Sequence, residues 1–545
     1  MSTTATAHHP AHAQPRGGHL TGTAPLLRTS LRHDGRLLAP WIAIATLLSA
    51  SSVLVYPWVF PTQQSREGLA AAVGSNPALG LIFGPAYDLS TADGFNAWRA
   101  LALGGFLSAL GAIFAVIRAT RAQEDSGQAE LLASGVLGRG SRLLTGAAMA
   151  LIGSLVLGVV AALVTVLCGG GWEATLLLGA TFTATGWMFT GVAAVTAQLG
   201  ADARTASSMA VGTLGVLFVL RGFAYSVDAP GWTSWVNPLS WMTETRPASG
   251  NTWWPLSLAV VLTLVLLAVA FTLQARRDFG QGTITPGPGP ARGKDTTAWR
   301  LAVRLNRGPL VTWALASLML GVVFGYLATS ITDIFGADPA VQQILAAGAT
   351  SPDELTSAFV VTILSLVGII AAVPGVQIML KVRSEETVDR VEPILATAVS
   401  RTRYYARHVL LALGASSLYV LVAGAVIGWL AGTADIGVGV GDVLRQAVAT
   451  VPAVWTVVAV SVAVVGARPA VALVAWVGVL VSFLLTLLGP TFGLDDWVLG
   501  ISPFWHVPDV SAADVDLTGL GWISLVTVGF LLVGFVGFRR RDLAR

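Results

Sequence analysis

The chain is poor in the residues that build most soluble active sites. Of its 545 residues one is a cysteine, two are lysines and only 11% are charged, where soluble domains carry about 25%. Cys168 alone excludes an internal disulfide and a cysteine-built metal cage. It reads as a small apolar residue near a helix end. Neither Lys294 nor Lys381 stands in a Gly-x-x-x-x-Gly-Lys-Ser/Thr loop, so the chain itself hydrolyses no ATP in the P-loop manner. No His-Glu-x-x-His, nucleophile elbow or Cys/His metal spacing occurs, and His408 and His506 stand isolated. The expectation is a chain with no catalytic residue, no metal site and no cofactor of its own.

What is present is apolar. Hydrophobic residues make up 54% of the chain and mean hydropathy is +0.72, which implies an all-α polytopic membrane protein. At about 20 residues per crossing the sequence predicts twelve spans: 38–60, 97–118, 143–167, 175–198, 206–223, 254–275, 309–331, 356–380, 406–430, 443–465, 468–489 and 517–538. The first long apolar run is too long for a signal-peptide core, so no cleavable signal is expected. Residues 1–19, rich in His, Pro, Ala and Gly, read as a disordered tail. Residues 276–298, rich in Pro and Gly, read as a flexible linker between halves 20–275 and 299–545.

The halves repeat one another. Arg28, Arg32 and Trp41 recur 272 residues on as Arg300, Arg304 and Trp313, marking a basic amphipathic helix before each first span. Ala203-Arg204-Thr-Ala opens the fifth span and Ala467-Arg468-Pro-Ala the eleventh. Asn237-Pro238-Leu-Ser-Trp241 precedes the sixth and Ser502-Pro503-Phe-Trp505 the twelfth. Arg276-Arg277-Asp278 and Arg540-Arg541-Asp542 close the two halves. This order predicts two parallel six-span repeats. Only Arg66, Arg99, Arg221, Arg246 and Arg445 fall on the expected outer side, leaving 27 of 32 basic residues inside, so both termini are expected in the cytoplasm. That distribution follows from topology and argues against a nucleic-acid partner.

Two charged stretches stand out. Arg121, Glu124, Glu130 and Arg139 recur at a constant offset of 262 as Arg383, Glu386, Glu392 and Arg401. On one helix, glutamates six apart are about 120° from each other. With Leu131 and Leu132, or Ile394 and Leu395, following, each stretch reads as a short helix. It can press an apolar side into a partner's groove and aim carboxylates at basic groups. The alternative is a solvated loop obeying the positive-inside rule, which needs no matched glutamates. Reversing Glu386 and Glu392 together is expected to uncouple the chain from that partner with the fold intact. The central thirds of the spans lack ionisable residues, which disfavours ion coupling. The Gly-x-x-x-Asp-Arg-x-Gly pattern of major facilitator proteins is absent.

The Arg-x-x-Glu…Glu-Leu-Leu…Arg loop, the Pro-x-x-Trp segment and the terminal Arg-Arg-Asp resemble the permeases of type V ABC exporters. The fused twelve-span form is similar to actinobacterial polyketide-antibiotic exporter permeases of the tetronasin-resistance type. The resemblance covers nearly the whole chain after residue 20. It implies that the four glutamates lie in coupling helices, although Gly127 stands where the second copy has Asp389, and Leu131 where it has Pro393. It also implies two copies of a separate cytoplasmic ABC ATPase, which binds ATP and Mg, and export of a lipophilic polyketide or drug across the cell membrane. Spans two, five, eight and eleven then line the pathway, with Phe106, Phe114, Met209, Phe218, Phe359, Trp476 and Phe483 as candidate lining residues. Trp235, Pro238, Trp241, Pro503 and Trp505 are candidates for an outer gate, or anchors at the membrane interface. Alternatives are export of a lipid or cell-wall glycoconjugate, an ion-coupled carrier, or a non-transporting protein that recruits an ATPase.

Overall fold

The computed structural model describes residues 19–74, 77–133, 137–226, 229–277, 282–284, 297–329, 352–387, 389–433, 439–488, 494–511 and 515–542. Among them there is no strand, and twelve helical segments are long and apolar enough to cross a membrane. The protein is an all-α, multi-pass membrane protein. All but the last residue of the expected tail, most of the linker and most of the outer loop 332–355 lie outside the described residues.

The chain forms two compact units, residues 1–70 with 80–288 and residues 71–79 with 289–545. In the first, an amphipathic helix Thr23–Asp34 precedes the spans Ala39–Val59, Ala92–Ala119, Ser141–Leu167, Trp172–Leu199, Ala203–Ser226 and Pro255–Arg276. In the second, the spans are Ala298–Thr329, Pro352–Thr387, Arg401–Thr433, Val440–Ala467, a compound helix Pro469–Trp476 and Val477–Leu488, and Thr518–Arg540.

Small residues decide which spans sit innermost. In the first unit these are the second and fourth. Gly104 lies so close to the Phe182 ring that a Cβ there would come within 2.5 Å of it, and the third and fourth spans cross backbone to backbone at Gly158 and Gly179. Close approach at small residues is the usual way for helices to pack in lipid. The fourth span is the least hydrophobic of the first four, yet the most buried. Its threonines explain this: the hydroxyls of Thr183, Thr185 and Thr190 each donate to the carbonyl four residues back, at 2.7–3.1 Å. The helix thus satisfies its own polar groups, as an apolar surrounding requires.

Three local features differ from the expectation. The leading amphipathic helix breaks at a 3-10 turn, Gly35–Leu38, in the first unit, whereas in the second it runs unbroken into the span. The eighth span begins earlier and extends further than expected, through Thr387, and carries Glu386 on its last turn. The eleventh is not one α-helix: its first eight residues are 3-10, with Val471 at φ −107° and ψ 36°. Pro469 opens that segment without an N–H to donate, and Arg204-Thr-Ala at the equivalent place leaves the fifth span regular.

Candidate functional site: two buried carboxylate clamps

At one end of each unit the repeated charges converge. In the first unit Glu124 lies within a short helix, Arg121–Asp125, directly after the second span. Its carboxylate takes Arg121 Nη1 at 2.6 Å, Arg142 Nη2 at 3.1 Å, and Arg277 Nη1 and Nη2 at 3.0 and 2.7 Å. Only 4% of its side chain is exposed. Arg277 also donates to Gln198 Oε1 at 2.7 Å, and Arg121 to the Ala201 carbonyl at 2.6 Å. The second span is thereby tied to the ends of the fourth and sixth.

The second unit repeats the construction with fewer parts. Arg541 Nη2 reaches both oxygens of Glu386, at 2.7 and 2.9 Å, while Arg383 stands at 3.7 Å. Arg541 Nε donates to the Gly466 carbonyl at 2.9 Å. Arg401 Nη1 closes the group by donating to the Arg541 carbonyl at 3.0 Å. Burying a carboxylate this deeply is costly unless guanidinium groups match it.

The paired glutamates therefore do not share a helix. Glu130 belongs to a separate helix Gln128–Ala133, and Glu392 opens the helix Glu392–Leu395. The break falls at Gly127 (φ +75°) and at Asp389 (φ +56°), which are equivalent at the offset of 262. The left-handed region is open to Gly and tolerated by Asp, so a difference that reads as degeneracy in the sequence is conformational equivalence. Of the eight loop residues singled out, five enter the clamps: Arg121, Glu124, Arg383, Glu386 and Arg401. Glu130, Glu392 and Arg139 stay exposed. The Arg139 carbonyl accepts from Gln274 Nε2 at 2.9 Å. Sequence reasoning missed Arg142, Arg277 and Arg541 as members. The recurring terminal Arg-Arg-Asp was the available signal for the last two.

Just beyond the first clamp, Asp202 caps the fifth span, accepting Thr205 N–H at 2.7 Å. That backbone bond holds the Asp202 carboxyl below the usual carboxylate range.

At the opposite end of the first unit the Trp-rich segment is tightly folded into short helices Thr233–Val236 and Pro238–Thr243. Asn237 Nδ2 donates to the Leu217 carbonyl and Trp241 Nε1 to that of Trp235, at 2.7 and 2.8 Å. Trp235 stacks on Trp254 at 5.0 Å, and Pro238 is half-buried. Arg221 is almost wholly buried; it donates to the Ile82 carbonyl at 2.7 Å and lies over the Phe218 ring. Glu244 accepts from the Tyr225 hydroxyl and from Arg246, at 2.9 and 2.7 Å. In the second unit Pro503 is half-buried and Trp505 exposed, while the intervening Phe504 is buried in the core.

The candidate lining residues are dispersed. Phe106 meets Phe218 edge-on at 5.2 Å, and Phe114 leans on Trp41. Met209 and Trp476 are half-buried and Phe483 is exposed. Phe359 is buried inside its own unit. Among the described residues, no three His, Cys, Asp or Glu side chains come together to hold a metal ion.

Comparison with known proteins fits this architecture. The family model described as the C-terminal domain of the multidrug efflux system permease Rv1217c matches residues 64–273 and 296–539. The chain is also 36% identical, over 542 residues and 97% of both sequences, to the multidrug efflux system permease protein Rv1217c of Mycobacterium tuberculosis. With both repeats matched and the likeness spanning nearly the whole length, the chain belongs to the Rv1217c family of multidrug efflux permeases.

Proposed function

We propose that this chain is the membrane subunit of an ATP-driven ABC exporter, working with two copies of a separate cytoplasmic ATPase that binds ATP and Mg. The observation that carries the reading is the repeated clamp. In each unit a buried carboxylate ties the cytoplasmic end of the second span of the repeat to the arginine that follows its last span. A push on that end is then delivered to several spans at once rather than absorbed by a slack connection. The exposed Glu130 and Glu392, each in the first turn of a short helix beside its clamp, are the groups left to meet basic residues of the ATPase. The concentration of basic residues supports placing this end, with both termini, in the cytoplasm.

The cargo is an amphipathic or lipophilic compound, a drug or polyketide antibiotic, carried out along spans two, five, eight and eleven. The multidrug efflux named for the mycobacterial relative supports the class, and the lack of ionisable residues in the span centres suits it. The test is extraction of the complex from native membranes in mild detergent, followed by ATPase assay after reconstitution. Two equivalents of a P-loop ATPase, stimulated by a lipophilic drug, are expected. Stimulation by a lipid-linked sugar alone would move the cargo to glycoconjugates. A chain isolated alone, with transport that follows an ion gradient, would overturn the proposal.

A further inference from the structure

The second unit contains a cleft at its basic end, where the leading amphipathic stretch of the seventh span meets the eighth and ninth. Asn306, Lys381, Arg390, Ile394, Arg407 and His408 line it. Three cations face one carboxylate, Glu385, which stands 3.7 Å from Arg390. Lys381 Nζ donates to the Leu305 carbonyl and lies 3.4 Å from Asn306 Oδ1. Arg407 Nη1 is buried and has no hydrogen-bond partner among the described residues, a costly state for a guanidinium nitrogen. The repeated fold does not demand these groups. At the offset of 262 the first unit carries Ala119, Gln128 and Thr145 in place of Lys381, Arg390 and Arg407. The adjoining helix exposes Trp299 and Leu305, the kind of apolar side chain that enters the membrane interface.

We propose that this cleft binds the phosphodiester headgroup of an anionic membrane phospholipid. The phosphate supplies the acceptor that Arg407 Nη1 lacks and offsets the excess positive charge, with Arg390 at the exposed rim. Leu305 and Ile394 flank the first part of the acyl chains. The site requires neither the ATPase nor a particular orientation of the termini, so it stands apart from the function proposed above.

The test is native mass spectrometry of the full chain in detergent, titrated with phosphatidylglycerol, phosphatidylcholine or inorganic phosphate. Phosphatidylglycerol is expected to bind in preference to phosphatidylcholine. The double variant Lys381→Ala, Arg407→Ala should weaken it roughly 30-fold, from the usual value of a cation near an anionic surface. Arg403→Ala, exposed on the same helix but outside the cleft, should change nothing. If the double variant fails gel filtration, Arg390→Gln at the rim should still weaken binding about fivefold. Unchanged phosphatidylglycerol binding in the cleft variants, or an equal loss with Arg403→Ala, would overturn the site. Full displacement of the lipid by inorganic phosphate would overturn its assignment to a lipid and leave a free-anion site.

Discussion

Replacing Glu386 by Gln is the sharpest perturbation of the clamp. The side chain is 1% exposed and Arg541, whose Nη2 reaches both of its oxygens, 13%, so solvent screens the pair little. The substitution keeps the shape and removes the charge. Arg541 retains the Gly466 carbonyl but sits beside Arg383 with no anion to offset either group. Removing one partner of a buried pair costs about 3–5 kcal/mol, and the surviving backbone bond puts this case near 3. At about 1.4 kcal/mol per tenfold, local opening should become roughly 150-fold more frequent. Hydrogen exchange in detergent reads this directly at the amides of 384–396 and 535–541. Glu392→Gln, six residues away and exposed, should leave exchange within about threefold, since exposed sites away from special contacts stay within ~0.5 kcal/mol. The swap Glu386→Arg with Arg541→Glu should recover part of the protection. Equal exchange in the two single variants would refute the clamp. The same geometry amends the expectation for reversing Glu386 and Glu392 together. A reversed Glu386 adds a third guanidinium to Arg541 and Arg383, so an intact fold is expected only when Glu392 is reversed alone.

Other outcomes follow from the same structure. Glu130→Arg with Glu392→Arg should abolish drug-stimulated ATP hydrolysis in the reconstituted complex while leaving thermal unfolding of the isolated chain unchanged. Gly158→Ala places a Cβ 2.3 Å from the Gly179 carbonyl oxygen and should destabilise the first unit by about 1–3 kcal/mol. Gly414→Ala, with nothing within 4 Å, should be neutral or stabilising by up to ~1 kcal/mol, and melting curves of the two variants separate the cases. Asp202→Ala removes an exposed cap and should cost about 0.5–1 kcal/mol. Because the folded Asp202 carboxyl is held below its unfolded value, its contribution is complete above the unfolded pKa and fades only as pH falls through the folded one. The penalty should therefore be the same at pH 8 and pH 6 and shrink only in strong acid.

The amino-acid sequence by itself determined the all-α class, the number of spans and the order of the repeated elements. Each follows from rules that act along the chain: the length of an apolar run, the spacing of basic residues, and motifs that recur in the same order in both copies. It also picked out five of the eight charged residues that form the clamps and missed Arg142, Arg277 and Arg541. The tertiary structure alone decided what those charges do. Glu124 and Glu130 look like a matched pair in the sequence, yet one is enclosed by guanidinium groups from three elements and the other faces solvent. Burial and partner choice depend on Arg277 and Arg541, more than 150 residues away in sequence, and no local pattern carries that distance. The left-handed residue between the two glutamates was hidden for a related reason. Gly and Asp have little in common as residue types, but they share tolerance for a positive φ, which becomes visible only when the chain turns there.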